Sequence, residues 1–185
     1  MKDPARLEPR LSSALRWALV FVPVILALGF LSGRVAGSGP GNPWFDALAK
    51  PAIYPPPAAF GIVWSILYVM MGIALALIVA RPAQTPVRGL AIAVFLAQLA
   101  LNLAWTPLFF AAHRISSALL LIAALDVALL VTIVLFWRVR RAAALLLVPY
   151  LAWVLFATLL TSEVLRLNPE ADGVTGTAPA ARIEL

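Results

Sequence analysis

Cysteine is absent from all 185 residues, and histidine occurs once, as His113. The first absence excludes disulfides, thiolate metal sites, iron–sulfur clusters and a cysteine nucleophile, and the second leaves no multi-histidine metal site, so no metal is expected. No phosphate loop and no Ser-His-Asp set is present either, which removes the common routes to enzyme chemistry. Charge is scarce: Asp, Glu, Lys and Arg make up 12% of the chain, roughly half of what soluble domains carry. In its place the chain is 63% hydrophobic, with a mean hydropathy of +0.99. A chain this short has too little interior to hide so much apolar surface from water, so the solvent for it must be lipid. Lipid permits only helices or a closed barrel, because backbone polar groups find no water there. The apolar runs are long and lack the alternation of barrel strands. The expected fold is therefore all-α, an integral membrane bundle of five transmembrane helices.

The spans follow from the uncharged stretches, each needing roughly 20 residues. They are expected at about 14–36, 60–80, 89–112, 115–137 and 142–166, with a long loop at 37–59. Arg16 and Arg34 flank the first span and would snorkel toward the headgroups. Its basic start and short apolar core also fit a cleavable signal peptide. The tails, 1–12 and 168–185, are polar or rich in Pro, Gly and Ala and are expected to be disordered.

The net charge of +6 and pI near 10.8 could point to nucleic acid, but the basic residues stand at the ends of apolar runs, as membrane flanks do, so no nucleic-acid partner is expected. Nine Lys and Arg fall on one side of the five-span arrangement (Lys2, Arg6, Arg10, Arg16, Arg81, Arg88, Arg138, Arg140, Arg141) and five on the other (Arg34, Lys50, Arg114, Arg166, Arg182). The positive-inside rule then puts the N-terminus in the cytoplasm and the C-terminus outside. Asp126, an acid at mid-span, divides between a polar helix contact and a functional role in a transport pathway.

Two features carry function. The first loop holds Trp44, Phe45 and Tyr54 among prolines that freeze φ and remove donors, so it can keep a fixed irregular shape. Its aromatics suit either an interfacial belt or a lid. Within the spans, Phe60, Trp64 and Tyr68 recur every four residues and form one stripe. Gln98, Asn102 and Trp105 share a face of the third span, and Trp153, Phe156 and Ala157 share one of the fifth. Amides and indoles turned to lipid are costly, so these faces should point inward. Each residue alone is explained by helix packing. Together, under an aromatic loop, they suggest a mostly apolar pocket with a few donors, fit for a planar hydrophobic ligand. On the opposite face of the third span, Ala93, Ala97, Ala100 and Ala104 follow the small-residue spacing that lets two backbones approach, which predicts a homodimer through this helix.

These residues resemble the tryptophan-rich sensory protein and translocator protein family, also called the peripheral-type benzodiazepine receptor family. The matching pieces are Trp44-Phe45-x-x-Leu48-x-Lys50-Pro51, Pro55-Pro56, Phe60, Trp64 and Tyr68. Gln98, Asn102, Trp105 and Phe109-Phe110 continue them, and Pro149-Tyr150, Trp153 and Phe156-Ala157 close them. The resemblance covers about residues 43–168 and implies five spans with the first retained, against cleavage. It implies a dimeric bundle that binds porphyrins such as protoporphyrin IX or heme as ligand, with no covalent cofactor. Its pocket would be lined by Trp44, Phe45, Trp64 and Tyr68, with Asn102, Trp105, Trp153 and Ala157. Trp64 and Asn102 would donate hydrogen bonds, and Trp64 with Trp153 facing it would be the candidate catalytic pair in any light-dependent porphyrin breakdown.

The family implies a role as sensor or scavenger in tetrapyrrole metabolism and stress response, with transport of tetrapyrroles or other hydrophobic molecules as the alternative. Its mitochondrial branch also binds sterols, so sterol-like lipids are a further expected partner beside the lipid bilayer. Two departures bear on this. Tyr54 stands where the family often has Trp, and the run from Leu159 to Arg166 lacks the central Tyr of the cholesterol-recognition pattern.

Overall fold

The computed structural model describes the backbone of residues 8–174 and side chains from residue 13. It is all helical among the described residues: α1 (Glu8–Val35), a short α2 (Pro43–Ala47), α3 (Pro57–Val79), α4 (Arg88–Phe110), α5 (Ile115–Val139) and α6 (Arg141–Leu167), closed by a 3-10 turn at Pro169–Ala171. Five of these are long and apolar enough to cross a bilayer, with spans of 23, 23, 23, 25 and 27 residues. At about 1.5 Å per residue each exceeds the roughly 30 Å hydrocarbon core. Prolines lie inside α1, α4 and α6 at Pro23, Pro107 and Pro149, a pattern that spans tolerate where neighbours re-satisfy the freed carbonyls.

The boundaries differ from the sequence reading in instructive places. Residues 8–12, expected in a disordered tail, continue α1 outward, starting on Glu8 and Pro9, an acid and a proline suited to a helix N-terminus. The remainder of that tail, 1–7, lies outside the described residues. α3 starts at Pro57, earlier than Phe60, because Pro56 caps it and Pro57 occupies the first turn, where no N–H is needed. α5 and α6 are joined by Arg140 alone, extended at φ −158. Residues 168–174, placed in the C-terminal tail, fold back on the bundle; 175–185 lie outside the described residues.

Around the bundle the neighbour order is α1, α3, α6, α5, α4 and back to α1. Leu19, Leu31, Ile62, Leu120 and Leu145 are exposed on its outside, where lipid would solvate them. The interior is not uniform. The half holding the C-terminal end of α3 is filled by Met71, Ile78, Phe95, Leu129, Phe136 and Leu147, all buried. Phe95 and Phe136 stack there at 5.6 Å, and the Tyr150 hydroxyl donates to Gln98 Oε1 at 3.2 Å. α1 is part of this packing. A Cβ at Gly72 of α3 would come within 2.7 Å of Val22 Cα, so only glycine allows α1 and α3 to approach this closely. Ser32 Oγ ties α1 to α4 by donating to the Leu103 carbonyl at 2.8 Å.

Candidate functional site

The other half is different. A cavity of about 510 Å³ opens among all five spans beneath the first loop, within the usual range of roughly 300–1,000 Å³ for small-molecule sites. The aromatic stripe of α3 supplies one wall, because residues at i, i+4 and i+8 share a helix face. Trp64 lies 5.2 Å from Tyr68 and 6.1 Å from Tyr150, ring centre to ring centre. α4 contributes Asn102, Trp105 and Phe109, and α6 contributes Trp153, Ala157 and Thr161. Phe45 and Tyr54 close it from the loop.

Polar groups in this apolar cavity are few and defined. The Tyr68 hydroxyl donates to Asn102 Oδ1 at 3.3 Å, which occupies the amide oxygen and leaves the amide N–H2 as the group Asn102 can offer. Trp105 Nε1 and Trp153 Nε1 are buried with no partner. An indole N–H usually finds an acceptor when buried, so two orphan donors on residues of one cavity lining are unusual. Arg34, in the last turn of α1, is the only charged side chain lining the cavity among the described residues. It makes no ion pair there; the one salt bridge among these residues joins Arg166 to Glu163 at 2.7 Å.

The first loop is a built lid. Asn42 caps α2 by accepting from Phe45 N at 3.1 Å, and its amide donates to the carbonyls of Gly37 and Phe110, each at 3.1 Å. Lys50 turns back over the end of α2, donating to the Phe45 carbonyl and, at 2.8 Å, to that of Leu48, with its ammonium 4.3 Å from the centre of the Phe45 ring. Burial pushes the Lys50 pKa down, and the nearby Asp46 carboxylate pulls it partly back. Phe45 is thereby aimed inward, 5.0 Å from Phe110, and Tyr54 sits 5.3 Å from Phe60.

A strap formed by residues 168–174 holds the lid down. Asn168 accepts from Ala49 N at 2.7 Å, and its amide N–H2 donates to the Ala49 carbonyl at 3.0 Å and that of Val164 at 2.8 Å. Asp172 accepts from Ser116 N at 3.2 Å and from the Ser116 hydroxyl, at the start of α5, where a carboxylate suits the helix dipole. His113 Nδ1 lies 2.8 Å from the Val174 carbonyl, and because a carbonyl only accepts, this nitrogen carries the proton.

Of the eight side chains expected to line the pocket, seven meet at the cavity: Phe45, Trp64, Tyr68, Asn102, and on α4 and α6 Trp105, Trp153 and Ala157. Trp44 does not. Its indole is 2% exposed, stacks on His113 at 4.4 Å and donates to the Ala171 carbonyl at 3.3 Å, so it anchors the lid to the strap. Trp153 shares the cavity lining with Trp64, and its ring lies edge-on to Phe60 at 5.8 Å. Asp126 stands outside the cavity lining and accepts from Thr158 Oγ1 at 2.8 Å, a polar contact between α5 and α6. The sequence reading missed the contribution of α1: Gly29, Gly33 and Arg34 line the cavity without any aromatic or amide pattern to mark them. Gly29 has a specific task, since a Cβ there would meet the Tyr68 ring at 2.1 Å. Ala93, Ala97, Ala100 and Ala104 all face outward from α4.

Five apolar spans around an aromatic cavity, roofed by a proline-stiffened lid, define a multi-pass integral membrane protein. A model of the TspO/MBR family matches residues 21–167, and the chain belongs to that family. It is 35% identical over 156 residues to Protein CrtK of Rhodobacter capsulatus, covering 82% of this chain and 97% of that protein. It is 37% identical over 148 residues to the tryptophan-rich protein TspO of Chlorobaculum tepidum, covering 80% and 93%. The human Translocator protein is 36% identical over 143 residues, covering 77% and 85%.

Proposed function

We propose that this translocator/sensory-family membrane protein binds a porphyrin or related planar tetrapyrrole in the cavity beneath its lid, as a sensor or scavenger. The observation that carries the reading is the pair of buried, unpartnered indole N–H groups of Trp105 and Trp153 in an otherwise aromatic cavity. Flat aromatic walls suit a flat conjugated ring, and the indole donors together with the Asn102 amide suit acceptor atoms on it. Arg34 at the lining supports an acidic ligand, because a guanidinium pairs in bidentate fashion with a carboxylate. The filled half behind the cavity supports holding over passage, since Phe95 and Phe136 stack there wholly buried. The ligand is held without a covalent bond.

Two further parts of the reading concern assembly. The outward row Ala93, Ala97, Ala100 and Ala104 supports a homodimer through α4. The excess of Lys and Arg at the end opposite the lid supports a cytoplasmic N-terminus, with lid and C-terminus outside.

Titration of the purified protein with protoporphyrin IX, followed by tryptophan fluorescence, tests the binding reading. Trp64→Ala combined with Asn102→Ala is expected to weaken binding by roughly tenfold or more, and undiminished affinity in that double variant would remove the porphyrin from this cavity.

A further inference from the structure

The end of the bundle away from the lid carries a second feature that the cavity does not use. α3 runs toward this end and α6 starts from it, and the two helices pack side by side. Arg81, just after α3, and Arg140, just before α6, therefore stand at the same edge of the bundle. Arg88 is also there, but its guanidinium is occupied: Nε donates to the Ile78 carbonyl at 3.3 Å and Nη2 to that of Val79 at 2.8 Å, closing the C-terminus of α3. Arg141 lies over the Trp137 ring at 5.4 Å. Arg81 has no such arrangement. Its Nε is buried and has no hydrogen-bond partner.

A basic rim that merely obeys the positive-inside rule keeps its guanidiniums in water, with every N–H solvated. A buried Nε is not solvated, and a buried donor without an acceptor is costly. Two guanidiniums brought together with no carboxylate between them compound that cost. No Asp or Glu stands at this end among the residues whose side chains are described. Burial first, and the charge of Arg81 second, push Arg140 down from its ordinary pKa. The group that answers both the orphan donor and the paired positive charge is a tetrahedral oxyanion, which accepts from two guanidinium forks at once.

We infer that Arg81 and Arg140 hold the phosphate of an anionic phospholipid headgroup at the end of the bundle opposite the lid. The position supports a lipid as the source. Both residues flank spans, Arg81 two residues after Val79 and Arg140 immediately before Arg141, and the ends of spans are where headgroups lie. The headgroup would fasten α3 to the α5–α6 turn at the filled half of the interior, leaving the cavity untouched.

The test measures the unfolding temperature of the full-length protein in neutral detergent with added phosphatidylglycerol, phosphatidylcholine or inorganic phosphate. Phosphatidylglycerol is expected to raise it by several degrees, with little effect from phosphatidylcholine. The combined Arg81→Gln and Arg140→Gln variant is expected to lose that rise, while Arg138→Gln, an exposed arginine at the same end, keeps it. Native mass spectrometry of the single variants covers the case in which the double variant does not fold. Each of Arg81→Gln and Arg140→Gln should retain phosphatidylglycerol roughly tenfold less than the unaltered protein. Undiminished rise or retention in these variants, or an equal rise with phosphatidylcholine, would overturn the site. An equal rise with inorganic phosphate alone would overturn the lipid as its occupant.

Discussion

The two ends of this bundle are built from the same five helices and obey opposite rules. At the lid end acids stand among the basic residues: Arg166 pairs with Glu163, Asp172 caps α5, Asp46 accepts from Gly41 N, and Lys50 closes α2, while Arg34 makes no ion pair. At the other end Arg81, Arg88, Arg138, Arg140 and Arg141 stand without an acid among the residues whose side chains are described. The interior follows the same division. Under the lid it is open, ringed by aromatics and supplied with donors that lack acceptors; away from the lid it is filled by side chains of matched shape. On the proposed reading stability and binding are separated along the membrane normal, and substitutions should sort by depth.

The largest effect is expected from Phe136→Ala, which removes a wholly buried ring from the filled half. Such a truncation costs about 3–5 kcal/mol where the surroundings cannot collapse. Trp64→Ala, equally drastic in chemistry, borders an existing cavity and should cost far less stability while weakening porphyrin binding. Equal destabilisation by the two, read from thermal unfolding in detergent, would erase the distinction between the halves.

Two glycines on the α1–α3 seam sharpen it. Gly72→Ala forces a methyl group against the Val22 backbone and is expected to lose roughly 1–3 kcal/mol of stability. Gly29→Ala meets a ring that can swing into the cavity. It should displace Tyr68 from Asn102 and reduce porphyrin affinity by roughly tenfold, with the smaller change in unfolding temperature of the two.

A smaller effect concerns the lid. Asn168→Ala removes three hydrogen bonds between the strap, Ala49 and Val164, worth roughly 1–2 kcal/mol of lid closure after water replaces them. Porphyrin release measured by stopped flow should quicken by about tenfold or more, with the unfolding temperature of the bundle nearly unchanged. Smaller again is Trp44→Phe, which keeps the stack on His113 but loses the bond to Ala171. It should loosen the same lid by about 1 kcal/mol, and release kinetics as fast as those of Asn168→Ala would assign Trp44 a direct place at the ligand.

How far the sequence discloses this arrangement depends on the range of the contacts. The walls from α3, α4 and α6 could be read directly, because Phe60, Trp64 and Tyr68, or Asn102 and Trp105, share a face through helical spacing alone. Arg34 and Gly29 could not, since nothing local distinguishes a glycine facing a tyrosine ring from one facing lipid. Trp44 is assigned to the pocket by the family resemblance. Its actual role rests on Ala171, 127 residues further along the chain, in a segment whose composition suggested a loose tail. Asp126 was ambiguous for the same reason, because its partner Thr158 belongs to another helix.

The absence of cysteine makes the central claim directly measurable. Ala157→Cys places one thiol in the cavity lining, and Ala83→Cys places one on the exposed turn after α3 at the opposite end. Alkylation of each by a small maleimide is followed with and without protoporphyrin IX. Protection at position 157 but not at 83 is the predicted result. Unchanged labelling at 157 under conditions where porphyrin demonstrably binds would contradict a ligand site beneath the lid.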